Sequence, residues 1–138
     1  MVLKQISVFL PNQPGVLAKF TKILMDKKIN MRAMTVAETT DYGILRIVVD
    51  RTEEALGILK EENYLVSVTE VIGVDIPDKP GALHEVAVIL GESNVNIEYI
   101  YSSTLLIEEA IIVLRVDDND KAEQILKEKG IKLVESKF

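Results

Sequence analysis

One segment of this chain occurs twice, and that duplication limits its fold more than any other feature. Pro11-Asn12-Gln13-Pro14-Gly15-Val16-Leu17 returns as Pro77-Asp78-Lys79-Pro80-Gly81-Ala82-Leu83, an offset of 66 residues. The register continues past the motif. Ile23-Leu24 falls on Ile89-Leu90, and Ile29-Asn30 falls on Val95-Asn96. One extra residue then enters the second copy. Arg46 to Asp50 meets Val113 to Asp117 at an offset of 67, and Ile58-Leu59-Lys60-Glu61 recurs unchanged as Ile125-Leu126-Lys127-Glu128. The chain therefore reads as two modules of nearly equal size, 1–68 and 69–138. Modules this small bury a modest share of their surface, so they are expected to pack together. Tyr64 to Ile76 is mostly β-branched or apolar and holds no Ser/Gly/Pro tract of the kind that makes a flexible linker.

Within each copy the pattern changes period in a fixed order. Residues 4–10 alternate loosely, with Ile6, Val8 and Leu10 on one side, and predict a strand that Pro11 to Pro14 ends. Val16, Phe20, Ile23 and Leu24 then recur at helical spacing, and Pro14 suits the first helical position. Residues 30–39 read as a strand, Thr40 to Gly43 as a turn and 44–49 as a buried strand. Asp50 to Thr52 offer caps for a helix carried by Ala55, Leu56 and Leu59, and 65–71 read as a strand again. The second copy predicts strands over 71–76, 96–103, 110–116 and 131–134. Its helices fall over 81–92, on Leu83, Val86, Ala87 and Leu90, and over 120–129, on Ala122, Ile125 and Leu126. The fold class is α+β: two ferredoxin-like βαββαβ modules, each an antiparallel sheet of four strands with helices on one face. The feature that does not repeat is Thr104 to Glu109, where Leu105, Leu106 and Ile107 occupy a hairpin tip. Either the flanking strands run longer there, or the tip is an oligomer contact.

Composition removes several classes of function. With 48% hydrophobic and 28% charged residues the chain suits a soluble globular protein, and no apolar run approaches the roughly 18 residues that span a bilayer. Zero cysteines exclude a thiolate nucleophile, a disulfide framework and a Cys-based metal site. Met1 to Gln5 lacks the layout of a secretory leader, so the cytoplasm is expected. A net charge of −6 repels phosphate backbones and argues against nucleic acid. His84 is the only histidine and has no triad or metal-ligand companion. Tyr99 and Tyr101 suit core or interface packing, and Asp117-Asp118-Asn119-Asp120 lacks the Gly and later Glu of an EF-hand, so it reads as helix capping.

The chemistry that remains is recognition. A strand feeding a Pro-x-x-Pro-Gly turn into a helix leaves the first helical N–H groups unpaired, and that end of the dipole favours a carboxylate. Gly15 and Gly81 carry no Cβ to block a close approach. The amides of Asn30 and Asn96, each at a helix-to-strand junction, both donate and accept. Together these suit a zwitterion, with Asp78 or, in the other copy, Asn12 facing its ammonium. On residue types alone, an ordinary helix-start turn and a helix-stop Asn explain the same pattern better.

The (Asn/Asp)-x-Pro-Gly-hydrophobic-Leu turn, followed about fifteen residues later by Ile/Val-Asn, resembles the ACT domain. That family comprises small regulatory modules that bind amino acids and govern enzymes such as phosphoglycerate dehydrogenase, aspartokinase and acetolactate synthase. The resemblance covers nearly the whole chain as two consecutive copies, like the stand-alone tandem ACT proteins, and no catalytic domain is expected. It implies that a ligand lies where the first strand-to-helix loop of one module faces the Asn-bearing strand of a neighbour. It implicates Asn12, Gln13, Gly15, Val16, Leu17 and Asn30 in copy one, and Asp78, Lys79, Gly81, Ala82, Leu83 and Asn96 in copy two. No catalytic residue, metal or cofactor is implied. The expected function is a non-catalytic sensor of a free amino acid that regulates amino-acid metabolism through a partner, most plainly a biosynthetic enzyme, and that forms a homodimer. The alternative is an interaction subunit of the acetolactate synthase small-subunit kind, with no ligand of its own. A few charge-assisted hydrogen bonds at about 1.5–3 kcal/mol each place such binding in the range of roughly μM to mM after ordering costs. A ferredoxin-like phosphoryl enzyme is disfavoured, because neither turn carries an arginine.

Overall fold

Alternating apolar residues build the first sheet. The computed structural model describes residues 2–103 and 109–135, and contacts divide the chain into a first unit, Lys4–Thr69, and a second, Met1–Leu3 with Glu70–Phe138. In the first unit β1 (Leu3–Pro11) pairs antiparallel with β3 (Tyr42–Val49), and β3 pairs antiparallel with β2 (Met31–Glu38). β1 also hydrogen-bonds β4 (Val66–Pro77), giving the order β2-β3-β1-β4 of a ferredoxin-like unit. In register, Ile6 faces Ile47 and Val8 faces Leu45, so these side chains share the face covered by α1 (Val16–Asp26) and α2 (Thr52–Glu61). Phe20 and Leu24 of α1 and Ala55, Leu56 and Leu59 of α2 complete that core. Phe20 meets Tyr64 edge to face at 5.3 Å, and burial, then the charge of Glu62, raises the Tyr64 phenol above its ordinary pKa.

The second unit repeats the plan. β4 is flanked by β6 (Glu109–Val116) and β7 (Lys132–Leu133), and β6 pairs with β5 (Ile97–Ser102), all antiparallel. Its helices are α3 (Ala82–Glu92) and α4 (Asn119–Glu128), which bury Ala82, Val86 and Leu90, and Ala122 and Leu126. The repeat extends to backbone detail. Both second strands carry a register shift at equivalent points, Met31/Ala33 and Ile97/Tyr99. All four helices close alike: a residue at positive φ (Lys28, Asn63, Asn94, Gly130) is followed by an N–H that reaches back five residues, as Ile29 N does to Leu24 O at 2.9 Å. Thr35 opposite Arg46 corresponds to Tyr101 opposite Val113, and Pro11 opposite Tyr42 corresponds to Pro77 opposite Glu109. The extra residue of the second copy therefore lies in the β5–β6 hairpin, before Glu109.

Several expectations change. Strands expected over 65–71 and 71–76 form one strand, β4, because nothing from Val66 to Glu70 breaks an extended chain. α1 starts at Val16 with Gly15 as its cap, so Pro14 sits in the turn ahead of the helix. Tyr42 and Gly43 belong to β3, and Thr39 makes the turn: its hydroxyl donates to Tyr42 O at 2.7 Å. α3 turns Leu83 and Ala87 outward and Ala82 inward. Leu105 to Ile107, and with them both the longer strands and the oligomer contact weighed there, lie outside the described residues.

Candidate functional site

Both Pro-x-x-Pro-Gly turns adopt the same conformation. Gln13 N donates to Pro11 O and Lys79 N to Pro77 O, each at 3.0 Å, and Gly15 and Gly81 follow at φ 83° and 90°. Only glycine takes that left-handed region without strain, which accounts for its place in the motif. A Cβ built on either glycine meets nothing within 4 Å, so the backbone beside each is open. The helical ladder then begins with Lys19 N to Gly15 O and Glu85 N to Gly81 O. The N–H groups just before it, at Leu17 and Ala18 in α1, have no acceptor inside the helix. No side chain caps α1 or α3, whereas Asp118 caps α4 by accepting from Lys121 N. The first turn of α1 also carries no acidic residue, while that of α3 carries Glu85. The start of α1 is therefore an uncompensated positive dipole end.

The surroundings of the two turns differ. Asn12 is held by the hairpin beside it: its backbone N donates to Asp41 O and its Nδ2 to Thr39 O, at 3.0 and 3.1 Å, which leaves Oδ1 as a free acceptor. Asn12, Gln13, Val16 and Leu17 share a hollow of about 200 Å³ with Val36 and Glu38 of β2. Val36 and Glu38 escaped the sequence reading, although period-2 alternation from Met34 places both on the helix side of their strand. In the second unit Gly81 lines a hollow of about 430 Å³ with His84, Glu85, Val88, Glu92 and Lys129. Asp78, Lys79 and Leu83 are exposed there, while Ala82 is buried.

The two asparagines lie elsewhere. α1 has 11 residues, about 16 Å of helix, and separates the first turn from Asn30; α3, of equal length, separates the second turn from Asn96. Neither unit brings its own turn and its own Asn together. Each Asn backbone is clamped instead. Asn30 N donates to Asp50 Oδ1 at 3.1 Å and Asp50 N to Asn30 O at 3.1 Å; Asn96 and Asp117 repeat this at 3.0 and 3.2 Å. Asp50 is thus committed to this clamp and does not cap α2, whose cap residue is Arg51. The Asn30 and Asn96 side chains are exposed. Asn30 borders an open hollow of about 820 Å³ with Lys22, Met25, Met31 and Met34.

Arg51 distinguishes the two junctions. Its Nη2 donates to Lys27 O and Lys28 O, at 2.8 and 2.6 Å, and its Nη1 to Glu54 Oε2 at 2.7 Å. The matching position in the second copy is Asp118. Among the described residues no group of three or more His, Cys, Asp or Glu is placed to hold a metal ion, and no helix is long and apolar enough to cross a membrane. His84 is exposed on α3.

Known proteins share this fold. The family model described as "ACT domain pair" covers residues 1–138. The crystal structure of protein BT0572 from Bacteroides thetaiotaomicron is similar at 39% identity and a TM-score of 0.95, over 99% of this chain and 94% of that one. The ligand-free regulatory subunit of aspartate kinase from Thermus thermophilus shares the fold at 18% identity and a TM-score of 0.69, over 92% of each chain. Aspartokinase alpha and beta subunits share it at 17% identity and a TM-score of 0.62, over 91% of this chain and 90% of that one. No curated protein matches the chain. The duplicated turn, the ferredoxin-like strand order and the match over the full length agree: the chain belongs to the ACT domain pair family.

Proposed function

We propose that this protein is a non-catalytic sensor that binds a free amino acid at an interface between ACT modules, residues 1–68 and 69–138, and regulates amino-acid metabolism through a partner. The observation that carries the reading is the pair of uncapped helix starts behind left-handed glycines, with Leu17 and Leu83 exposed beside them. Such a start presents N–H donors and a positive dipole end to a carboxylate. Gln13, Gly15, Val16 and Leu17, and Lys79, Gly81, Ala82 and Leu83, serve as carboxylate-side halves, with Asn12 and Asp78 beside them as acceptors toward the ammonium. Asn30 and Asn96 are the two candidates for the half that faces it across the interface. The helix between the two halves of one module means that each turn works with an Asn from another module, which suits a homodimer. The fold shared with a regulatory subunit of aspartate kinase supports a biosynthetic enzyme of the cytoplasm as the partner. Binding then favours one arrangement of modules, which the partner reads.

Thermal-shift measurements against the twenty amino acids test this reading. It expects at least one to raise the melting temperature at millimolar concentration, and Leu17→Glu to abolish or sharply reduce the shift. The introduced carboxylate competes for the same N–H groups, while an exposed site keeps the fold intact. No shift with any of the twenty refutes it. A second reading, an assembly subunit without a ligand, is favoured by the exposed apolar residues Leu17, Met25, Met34 and Val36 on α1 and β2. Recovery of one enzyme in pull-downs regardless of added amino acid supports that reading instead.

A further inference from the structure

The ends of α1 and α3 are equivalent in backbone and opposite in charge. Lys27, Lys28, Asp50 and Arg51 surround the first junction; Ser93, Asn94, Asp117 and Asp118 hold the same positions at the second. With Glu54 beside Arg51 and its counterpart Lys121 beside Asp118, three cations and two carboxylates at the first junction answer to one cation and two carboxylates at the second. The first junction also shows what a helix end of this shape binds. Two backbone carbonyls, at the negative end of the α1 dipole, hold the guanidinium of Arg51 at 2.8 and 2.6 Å. At the second junction the corresponding carbonyls, of Ser93 and Asn94, receive no side-chain hydrogen bond among the described residues. Asp118 stands where Arg51 would reach from, and caps α4 through Oδ1. Asp117 uses Oδ1 for the Asn96 N–H. Both aspartates keep their charge and further lone pairs.

Resting on the sensor reading above, we propose that the two junctions are not equivalent: the α3 end, with Asn96, Asp117 and Asp118, receives the ammonium of the amino acid, and Arg51 closes the α1 end as a built-in cation. Arg51 and Asp118 then determine which copy recognises the ligand's amino group. An ammonium approaching Asn30 meets carbonyls already engaged and the charges of Lys27, Lys28 and Arg51. One approaching Asn96 meets free carbonyls, an amide oxygen and two carboxylates. The recognised group is a primary ammonium, so N-acetyl amino acids and 2-hydroxy acids of the same side chain do not bind.

Isothermal titration of the intact chain tests this, using whichever of the twenty amino acids gives the largest thermal shift. Asp118→Asn keeps a good helix cap and removes one charge, and should weaken binding about five- to tenfold. Asp118→Arg, which copies the first junction, should weaken it further. Arg51→Ala should keep the dissociation constant at the second junction within about twofold and, by freeing the Lys27 and Lys28 carbonyls, raise the stoichiometry through weaker binding at the first. If both Asp118 variants bind like wild type, or if Arg51→Ala weakens binding as much as they do, the assignment is overturned and the sensor reading stands. If wild type responds to none of the twenty, both fall. Equal binding of the N-acetyl form also overturns the assignment alone.

Discussion

Replacing the two turn glycines by alanine separates backbone strain from crowding. Gly15 and Gly81 sit at φ 83° and 90°, and a Cβ at either meets nothing within 4 Å, so alanine introduces no clash. The cost is the left-handed conformation itself, about 1–2 kcal/mol for a residue with a Cβ. Restricting the unfolded chain returns about 0.4–1 kcal/mol. The net is a loss of about 0.5–1 kcal/mol for each substitution. Gly57 is the control: it lies inside α2 and its added Cβ also meets nothing within 4 Å. There alanine gains about 0.5–1 kcal/mol of helix stability. The two kinds of variant should thus lie about 1–2 kcal/mol apart, with opposite signs. Thermal unfolding followed by circular dichroism, without added amino acids, resolves this, since 1 kcal/mol moves the midpoint by about 2–6 °C in a chain of this size. If Gly15→Ala and Gly57→Ala shift the midpoint in the same direction, the left-handed constraint does not explain the motif's glycine.

Other substitutions probe the cores and the clamps. Phe20→Ala removes a fully buried ring from the first core and should cost about 3–5 kcal/mol, read as a lower urea midpoint. Gly73→Ala places a Cβ 2.9 Å from the Leu3 Cδ1 and 3.0 Å from the Val134 Cβ. Leu3 can swing aside but the Val134 Cβ moves only with its backbone, so a loss of about 1–3 kcal/mol is expected in the same assay. Tyr64→Phe tests the phenol: its folded pKa is raised above 10.0, so its contribution is present below that value and lost as pH rises through the folded one. Wild type should lose thermal stability at alkaline pH more steeply than Tyr64→Phe, and parallel curves exclude that role.

How far the sequence reveals this fold depends on which signals are local. The turn motif is local, and so the end of each first strand and the helix behind it follow from it, although the left-handed glycine moves the start of α1 from Pro14 to Val16. The α3 face is legible only in part: Val86 and Leu90 are buried as expected, but Ala82 to Leu90 is apolar nearly all round, and packing against the sheet picks Ala82 over Leu83 and Ala87. β4 was split in two by reading the repeat boundary as a strand boundary, although no residue there ends a strand. The clamps join residues about twenty positions apart, Asn30 with Asp50 and Asn96 with Asp117, and no spacing rule points to them. Asp50 looked like a helix cap because its alternative partner, the Asn30 N–H, comes from the far side of a hairpin. Arg51 falls among the cap candidates Asp50 to Thr52, but its bonds to Lys27 O and Lys28 O are not legible there, since those carbonyls belong to the end of a different helix.

The length difference between the copies falls in the β5–β6 hairpin, which has a consequence for how such a duplicate can diverge. Inside a paired strand, one added residue reverses every side chain beyond it and turns a core inside out. At the bend between two strands the same addition leaves both partners aligned, as Tyr101 opposite Val113 and Pro77 opposite Glu109 attest. Ancestral copies could therefore lengthen between Ser103 and Glu109 and keep both strands in register, and a peptide tag or reporter spliced into that connection inherits the same tolerance.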